Sequence, residues 1–533
     1  METDGPALGR NGEALRKRLA SRHAEAVEYS MAGVSLVQQA IDAVVDKALT
    51  AGRVVGAVVL VRHHGEPIYA LAAGYADREA AIPMALDTEF RWASLTKPVV
   101  AATALALMER GRLDLDDPIT QFLPDFEPRL PDGSAPRINV RHLLTHTAGL
   151  GYPTLDPEDP YVAAGVSGGL DQPGMSMQEN LRRIASAPLY FWPGSAWRYS
   201  MAIDVLGAII AVVHGTSLAD AVASYVTDPL HMLDSGFVVR EPARLAVPYA
   251  DGNPRAIRMG EPHRVEDIVF SPARAFDPRS FQSGGGGMVG TAGDFMTFLE
   301  TLRTGGAPIL TRETVQLASR NRVGSLREQE DEPGWGFGFL SGVLTDAERA
   351  GSPAHVGTLS WGGVYGHSWF YDPTAELSVV GLTNTALEGC KGSFPADVAH
   401  SLPMSRPQYT PHWPSIEGRA VVPGHHGASA EIDTTLFVAS CLVTDERRMR
   451  DSNPRGLAPN PLFKSAFGRS STFRPHREAA TTAMSMDEPR WTTLTEVVPF
   501  LLLNPFLSNR AKSGLISTPT TSPSGPTARL GPN

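Results

Sequence analysis

The sequence has little of what marks secreted scaffolds, nucleic-acid binders and membrane proteins. Only two cysteines, Cys390 and Cys441, occur in 533 residues, which excludes a disulfide framework and a thiolate metal cage. With 47 basic and 57 acidic residues the formal net charge is −10, so no basic stripe is available for a phosphate backbone. The start of the chain lacks an apolar signal-peptide core, and the late apolar run from Val497 is too short to span a bilayer. We therefore predict a cytoplasmic protein with no membrane span and no nucleic-acid partner.

What the composition does provide is enough apolar material for a large core. Hydrophobic residues make up 42% of the chain and charged residues 20%, as expected for an enzyme-sized globular protein. The pattern predicts three regions: a polar extension at 1–31, a folded domain at 32–402 and a low-complexity, disordered tail at 403–533. Pro, Ser, Thr, Arg and Gly dominate that tail. Within the folded domain, short helical patterns between about 113 and 290 predict a mainly helical lobe.

Strand signals lie on both sides of this lobe. An amphipathic helix over Val34–Leu49 is followed by VVGAVVLVR and IYALAAGYAD, two β-rich runs joined across a glycine, which predict a hairpin. Strand patterns return in WGFGFLSGVL, WGGVYGHSWFYD and AELSVVGLTN, after the lobe. The simplest α/β architecture is one sheet made from both ends of the domain, with the helical lobe inserted between them.

The stretch RWASLTKPVV places Ser94 and Lys97 three residues apart. On a helix, such residues share a face with their Cβ atoms about 5–6 Å apart, so the hydroxyl and the amine can meet. Pro98 is tolerated only in the first turn of a helix, and it therefore predicts a helix that begins near Ser94. A lysine acts as a base at neutral pH only if its pKa is depressed, and we expect the following apolar run to supply the burial. From the spacing alone, the simpler interpretation is an N-cap serine followed by an exposed lysine.

Three other patterns suggest different chemistry, but their context argues against it. GVSGG at Gly165–Gly169 matches the nucleophile elbow of α/β-hydrolases, with Ser167 as nucleophile, but the flanking sequence predicts loop on both sides. His142 and His146 are four apart, as in a zinc-binding helix, but the Glu of H-E-x-x-H is missing. The Gly284–Gly287 run lacks the Lys-Ser/Thr pair of a phosphate-binding loop, so it predicts a flexible turn beside the site. No metal site is predicted.

Four further segments stand in the order found in the β-lactamase-related serine hydrolases. They are NVRHLLTHTAGL (Asn139–Leu150), FWPGSAWRYSMAIDVLGAII (Phe191–Ile210), SGGGGMVGTAGDFMTFLETLRTGG (Ser283–Gly306) and WGGVYGHSWFYDP (Trp361–Pro373). Over roughly Val34–Leu402, the chain resembles the group of class C β-lactamases and D-alanyl-D-alanine peptidases, and within it the carboxylesterases and acyltransferases. The resemblance implies a β-lactamase/transpeptidase-like fold, with an antiparallel sheet flanked by helices.

The resemblance also assigns roles by position. It makes Ser94 the nucleophile, Lys97 its proton-accepting partner and Tyr199 the phenol that passes a proton to the leaving group. The family often has Tyr-x-Asn at the second motif, whereas this chain has Met201 as the third residue, so an amide contact to a peptide-like substrate is not expected. Without Ser94 and Lys97, Tyr199 would be interpreted as an ordinary buried aromatic.

The third motif differs from the usual Lys-Thr-Gly or His-Thr-Gly. It is Trp361-Gly362-Gly363 here, and its glycines would let a substrate lie close to the strand. The N–H of Val364, together with that of Ser94, is the predicted oxyanion donor. Trp361 is predicted to bind the substrate by presenting a large apolar face to a neutral acyl or alcohol group, and simple core packing is the alternative. His367 could replace the missing cation, but a histidine with an ordinary pKa is mostly uncharged at neutral pH.

The sequence thus predicts a serine acyl hydrolase that acts on carboxylic esters through an acyl-enzyme, with no metal and no organic cofactor. A small-molecule ester or amide is the expected partner, and the oligomeric state is left open. The alternatives are a β-lactamase, a D-alanyl-D-alanine peptidase, an acyltransferase to an alcohol, or a catalytically silent binding protein on the same fold.

Overall fold

The computed structural model describes residues 35–154, 156–327, 333–402 and 404, all of which belong to the first of two units, Met1–Gly418 and Arg419–Asn533. The predicted extension at 1–31 lies outside the described residues, as does the predicted tail from 403 on, apart from residue 404. The boundaries of these regions stay predictions.

Ten helices are distinguished in the described chain. The first, α1, covers residues 35–50 and buries Val37, Ile41 and Val45, as its period predicts, although Leu36 is 68% exposed. The others are α2 (Thr96–Glu109), α3 (Val140–Leu144), α4 (Pro160–Ala163), α5 (Met177–Ser186), α6 (Ala202–His214), α7 (Leu218–Val222), α8 (Ala292–Arg303), α9 (Arg312–Ala318) and α10 (Ser393–His400). Short 3₁₀ turns occur at Ala93–Leu95, Ile119–Gln121, Pro242–Arg244 and Pro272–Phe276, and a π turn at Ala223–Thr227.

Most strands belong to one eight-stranded antiparallel sheet, with the order β10-β11-β12-β13-β14-β1-β2-β3. Its members are β1 (Gly56–His63), β2 (Glu66–Asp77), β3 (Ile82–Pro83), β10 (Trp335–Phe337), β11 (Gly342–Leu344), β12 (Leu359–Gly363), β13 (His367–Asp372) and β14 (Leu377–Thr383). Shorter pairings involve β4 (Glu89–Arg91), β5 (Tyr249–Ala250), β6 (Ile257–Arg258), β7 (His263–Val265), β8 (Ile268–Phe270), β9 (Val289–Thr291) and β15 (Thr385–Ala386).

The sheet joins the two ends of the domain, as the sequence predicts. β1 and β2 form the predicted hairpin, and positive φ angles of 52° at His64 and 85° at Gly65 match the two-residue turn that fits the twist of paired strands. On its other edge β1 pairs with β14, so that Val59 lies opposite Gly381. The predicted fold, an antiparallel sheet flanked by helices, is confirmed.

Alternate residues of the sheet face two separate cores, because side chains in a strand point to opposite faces in turn. Val59 packs on one face with residues of α1 and α10. Val58 packs on the other face in the large cluster that contains α2 and α8. Every residue from Thr96 to Leu107 is buried, so α2 is the central helix that its apolar sequence predicts. The start of this helix carries the site.

Within the described ranges, no single helix is long and apolar enough to cross a membrane. One pair passes on length and composition alone, Ala202–His214 with Leu218–Thr227, and the two are bent by 80°.

Candidate active site

Ser94 lies in a 3₁₀ turn, Ala93–Leu95, that leads directly into α2. The preceding residue, Ala93, has a positive φ of 46°, a conformation that L residues adopt only at a cost in strain. β12 runs close to this turn, and a Cβ added to Gly363 would lie 2.4 Å from the carbonyl oxygen of Trp92. Only glycine allows β12 to lie this close to the turn. The third motif and the serine turn are therefore in direct contact at the site.

The side chains of Ser94 and Lys97 are in contact. Lys97 Nζ lies 3.1 Å from Ser94 Oγ and donates to the carbonyl oxygen of Gly285 at 2.6 Å. Both residues are buried, with relative exposures of 8% and 4%. The alternative of a capping serine and an exposed lysine is therefore wrong. The Gly284–Gly287 turn is also part of the site, because its Gly285 carbonyl oxygen accepts a hydrogen bond from the Lys97 amine.

The pKa of Lys97 departs from the sequence-based expectation. Burial opposes its charge, but Tyr152, Tyr199 and Asp204 favour the ammonium more strongly and raise the pKa above its ordinary value. The expectation of a depressed pKa was wrong. The apolar run of α2 does bury the amine, but polar groups from other segments converge on it, and their effect outweighs desolvation.

Tyr199 lies directly over the lysine. Lys97 Nζ is 4.7 Å from the centroid of the Tyr199 ring. The hydroxyl oxygen also accepts a hydrogen bond of 3.1 Å from Trp361 Nε1. The His146 ring packs 4.7 Å from that of Tyr199, centroid to centroid. Tyr199 therefore packs against Lys97, and its hydroxyl is held by Trp361.

The remaining residues of the third motif border the serine turn. A Cβ on Gly362 would lie 2.8 Å from Cys390 Sγ, so this glycine permits close packing behind the strand. Val364 follows β12 and packs in the same cluster as Ala93. The oxyanion roles of the Ser94 and Val364 N–H groups stay predictions.

Three residues to which the sequence-based prediction gave no role complete the surroundings of Lys97, namely Asp204, Ser283 and Tyr152. Asp204, fully buried in the first turn of α6, accepts a 2.5 Å hydrogen bond from Ser283 Oγ. Burial raises the pKa of Asp204, while Ser283 and Lys97 act against this shift. A Cβ on Gly285 would lie 2.3 Å from Asp204 Oδ2, so the turn rests directly on the carboxyl group. The signal for Asp204 was a single acid in an otherwise apolar helix.

Tyr152 is a second phenol at the amine. Lys97 Nζ lies 5.6 Å from its ring centroid, and the Tyr152 and Tyr199 rings are 5.7 Å apart. Burial raises the pKa of Tyr152, and the charge of Lys97 acts in the opposite direction. Tyr152 follows a glycine in a loop, where no periodic pattern marks it.

The other candidates from the sequence have structural roles. Ser167 lies in a loop with no preceding strand, and its Oγ donates to Asp171 Oδ1 at 2.6 Å. His142 Nδ1 accepts from the backbone of Asn139 at the start of α3, whereas His146 is buried beside Tyr199, so the two do not form one site. Among the described residues, no group of three or more His, Cys, Asp or Glu could hold a metal ion.

Two residues that the sequence analysis considered for substrate contact, Met201 and His367, are buried in the protein interior. Met201 is fully buried in the large core cluster. His367, the first residue of β13, is buried, with Nε2 2.8 Å from the carbonyl oxygen of Arg91. Burial lowers the pKa of His367 to about 4, against weaker raising effects of backbone hydrogen bonds. His367 is therefore neutral at pH 7 and does not replace the missing cation.

Comparison with known proteins gives this arrangement a family. The sequence model of the Beta-lactamase family matches residues 41–392. The chain belongs to the beta-lactamase family. Esterase EstB of Burkholderia gladioli is 50% identical over 372 residues, which are 68% of this chain and 94% of that protein. Among beta-lactamase-fold structures, "EstCE1, a hydrolase with promiscuous acyltransferase activity" is 42% identical with a TM-score of 0.67, over 69% of this chain and 98% of that one.

A more distant member shows the fold alone. Simvastatin synthase (LovD) from Aspergillus terreus is 23% identical with a TM-score of 0.57, over 69% of this chain and 98% of that chain. Together with EstB and EstCE1, the family match confirms the predicted resemblance. The protein is a serine hydrolase of the carboxylesterase type on the beta-lactamase fold, and its expected substrates are small-molecule esters.

Proposed function

We propose that the protein hydrolyses carboxylic esters through an acyl-enzyme formed on Ser94. The observation that carries this proposal is the 3.1 Å contact between Lys97 Nζ and Ser94 Oγ, with the Tyr199 ring centroid 4.7 Å from the same amine. A serine hydroxyl is a weak nucleophile unless a neighbouring group accepts its proton. The buried amine and phenol are the groups in position to do so.

Lys97 and Tyr199 act together as a relay that takes up one proton and gives up another in each half of the reaction. In acylation, Ser94 Oγ attacks the ester carbonyl carbon, and its proton passes to this pair. Tyr199 then gives a proton to the departing alkoxide, so the alcohol leaves and the acyl group remains on Ser94. In deacylation the pair takes a proton from water, the water oxygen attacks the acyl carbon, and Ser94 recovers a proton as the acid leaves.

The raised pKa of Lys97 is consistent with separate roles for the two residues, in which Lys97 stabilises charge and Tyr199 transfers the proton. An ammonium next to Ser94 Oγ stabilises negative charge as the serine loses its proton, and burial keeps water from screening that interaction. The proton that shuttles is then the one shared with Tyr199. This role differs from that of a free lysine base, for which a depressed pKa would be required.

We propose neutral esters as substrates rather than β-lactams. A Lys or His at the third motif would offer a charge to a substrate carboxylate, a contact worth about 1.5–3 kcal/mol, or roughly ten- to a hundredfold in affinity. Trp361 has no charge, and its N–H is already bonded to Tyr199. Met201 and His367 are buried and supply no replacement.

The test compares a series of p-nitrophenyl esters of increasing chain length with nitrocefin. We expect kcat/KM for the short-chain ester to exceed that for nitrocefin by at least about a hundredfold. Mass spectrometry of quenched enzyme should find the acyl group on the peptide that contains Ser94. Faster turnover of nitrocefin would overturn the substrate class, and an acyl group on another residue would overturn the mechanism.

Acyl transfer to an alcohol is a second candidate, supported by the similarity to EstCE1, a hydrolase with promiscuous acyltransferase activity. The same acyl-enzyme serves both reactions, because an alcohol can take the place of water in the second step. With p-nitrophenyl acetate and increasing benzyl alcohol, transfer predicts benzyl acetate formed at the expense of acetate. Release of acetate alone would restrict the activity to hydrolysis.

A further inference from the structure

We infer that Trp361 is a positioning residue that acts on the reaction through Tyr199, rather than a residue that binds the substrate. The inference rests on the proposed function, in which Tyr199 carries the proton. Trp361 Nε1 donates to Tyr199 Oη at 3.1 Å, and the two rings lie 5.1 Å apart at an interplanar angle of 52°. An indole has one N–H and no acceptor, so this bond uses its only polar group.

In the hydrogen bond between Trp361 and Tyr199, the indole is the donor, and this direction determines its effect on the phenol. Tyr199 Oη accepts from Trp361, and Lys97 Nζ lies 4.7 Å from the centroid of the Tyr199 ring. A donor aimed at a phenol oxygen stabilises negative charge there, so it favours the state in which Tyr199 has given its proton to the leaving alkoxide. It also fixes the hydroxyl rotor, which leaves a defined direction for the transferred proton.

The surroundings of Trp361 hold the indole in this orientation. Phe337 meets its ring edge-on, with centroids 5.2 Å apart, and the Arg327 guanidinium lies 5.1 Å from the indole centroid. Arg327 Nη1 donates to the carbonyl oxygen of Gly336 at 2.9 Å. A cation over an indole face draws electron density from the ring and makes the N–H a stronger donor. Arg327 and Phe337 thus support the contact from β10 and the segment before it.

Trp197 provides a matched control in the same cluster. Its ring lies 6.4 Å from that of Tyr199 and 5.3 Å from the Arg327 guanidinium, so it shares the packing of Trp361. Its buried Nε1, however, has no hydrogen-bond partner among the described residues. Trp361→Phe and Trp197→Phe therefore remove the same group from the same aromatic cluster, but only the first removes a hydrogen bond to Tyr199.

The experiment is a double-mutant cycle on Trp361→Phe and Tyr199→Phe. The readouts are kcat and KM for an alkyl ester, ethyl butyrate, whose ethoxide needs a proton to leave, and the rate constant for labelling of Ser94 by a fluorophosphonate, which can be followed for hours in slow variants. We expect Trp361→Phe to lower kcat and the labelling rate about tenfold, with KM changed less than twofold. In the Tyr199→Phe background the same change should have less than about a twofold effect, because its target is gone.

Trp197→Phe should leave kcat within about twofold of the parent enzyme. The inference is overturned if Trp361→Phe costs as much with Tyr199 absent as with it present. It is also overturned if Trp197→Phe and Trp361→Phe lower kcat equally, or if Trp361→Phe raises KM alone. Failure of the proposed function is recognised separately, since labelling and turnover would then survive in Ser94→Ala.

Discussion

Two buried serines with opposite chemistry lie in this molecule, and each belongs to a recognisable motif. Ser94 contacts the amine of Lys97, and phenol groups surround that amine. Ser167, in G-x-S-x-G, is fully buried and donates to the carboxylate of Asp171, while its oxygen accepts from the N–H of Gly169 at 3.2 Å. The comparison teaches that the partner of the hydroxyl decides its role: an amine and phenol can take its proton away, whereas a carboxylate bonded to it holds a loop closed.

The most stringent test of this comparison is to remove the side chains of Ser94 and Lys97 one at a time. Ser94→Ala should lower kcat/KM for p-nitrophenyl acetate by about 10⁴-fold or more, and Lys97→Ala by about 10³-fold, because the nucleophile and its charged partner act as a unit. Stopped-flow or steady-state assays of purified variants, with thermal unfolding as a check on folding, give the measurement. A Ser94→Ala variant as active as the parent enzyme would end the assignment.

Asp204→Asn probes the support behind Lys97 and should have the next largest effect. The change keeps the shape but removes a carboxylate that favours the ammonium and accepts from Ser283. Hydrogen bonds to charged groups are worth about 1.5–3 kcal/mol, so we expect kcat/KM to fall roughly ten- to a hundredfold.

Ser283→Ala is the control for Asp204→Asn, since it removes the same hydrogen bond and keeps the carboxylate. It should cost less than Asp204→Asn. An equal loss in the two variants would show that the hydrogen bond, rather than the carboxylate, supports the amine.

How much of this arrangement the sequence predicts depends on how local each contact is. The Ser94–Lys97 pair could be predicted because three residues of helix join its members, and the two-ended sheet because strand patterns flank a helical lobe. The contact from Lys97 to Gly285 spans 188 residues, and neither Tyr152 nor Asp204 stands in a pattern that indicates its neighbour. The pKa of Lys97 was mispredicted for the same reason, because its direction is set by groups that only the fold brings together.

We expect acid to lower the free energy of unfolding through a buried histidine of the Ser94 region that has no counterpart in the Ser167 loop. This effect is smaller than those predicted above. His367, which contacts the carbonyl oxygen of Arg91 in the strand before the Ser94 turn, has a pKa that burial lowers from 6.5 to about 4, whereas the Gly165–Gly169 loop has no histidine. Because the unfolded chain binds the proton more readily, stability is fully present above pH 6.5 and is lost as pH falls toward 4. His367 alone should therefore lower the free energy of unfolding by about 2–3 kcal/mol between pH 7 and 4.5.

Urea unfolding at the two pH values measures this effect, and His367→Gln should flatten the dependence. His146, whose pKa burial lowers well below 6.5 with Lys97 and Arg327 adding to the shift, contributes in the same direction and stays in the variant. An unchanged slope in His367→Gln would contradict the prediction.

Ser167→Ala should have the smallest effect on activity. Removal of this hydroxyl leaves the Asp171 carboxylate and the Gly169 N–H without their partner, so we expect a loss of about 1–3 kcal/mol in stability. The value of kcat/KM should stay within about twofold, because Ser167 has no amine or phenol beside its hydroxyl in the described structure. A loss comparable to that of Ser94→Ala would reverse the comparison.

The pairing of β1 with β14 has a consequence for how the chain is made. Val59 finds its partner, Gly381, only after more than three hundred further residues have been added. At a synthesis rate of about 5–20 residues per second, the first hairpin waits roughly 15 to 60 s for its neighbouring strand. During that time the open edge of β1 and the apolar side chains on both of its faces are available to other nascent chains. The same pairing that closes the sheet therefore makes the growing polypeptide dependent on protection until its last strands emerge from the ribosome.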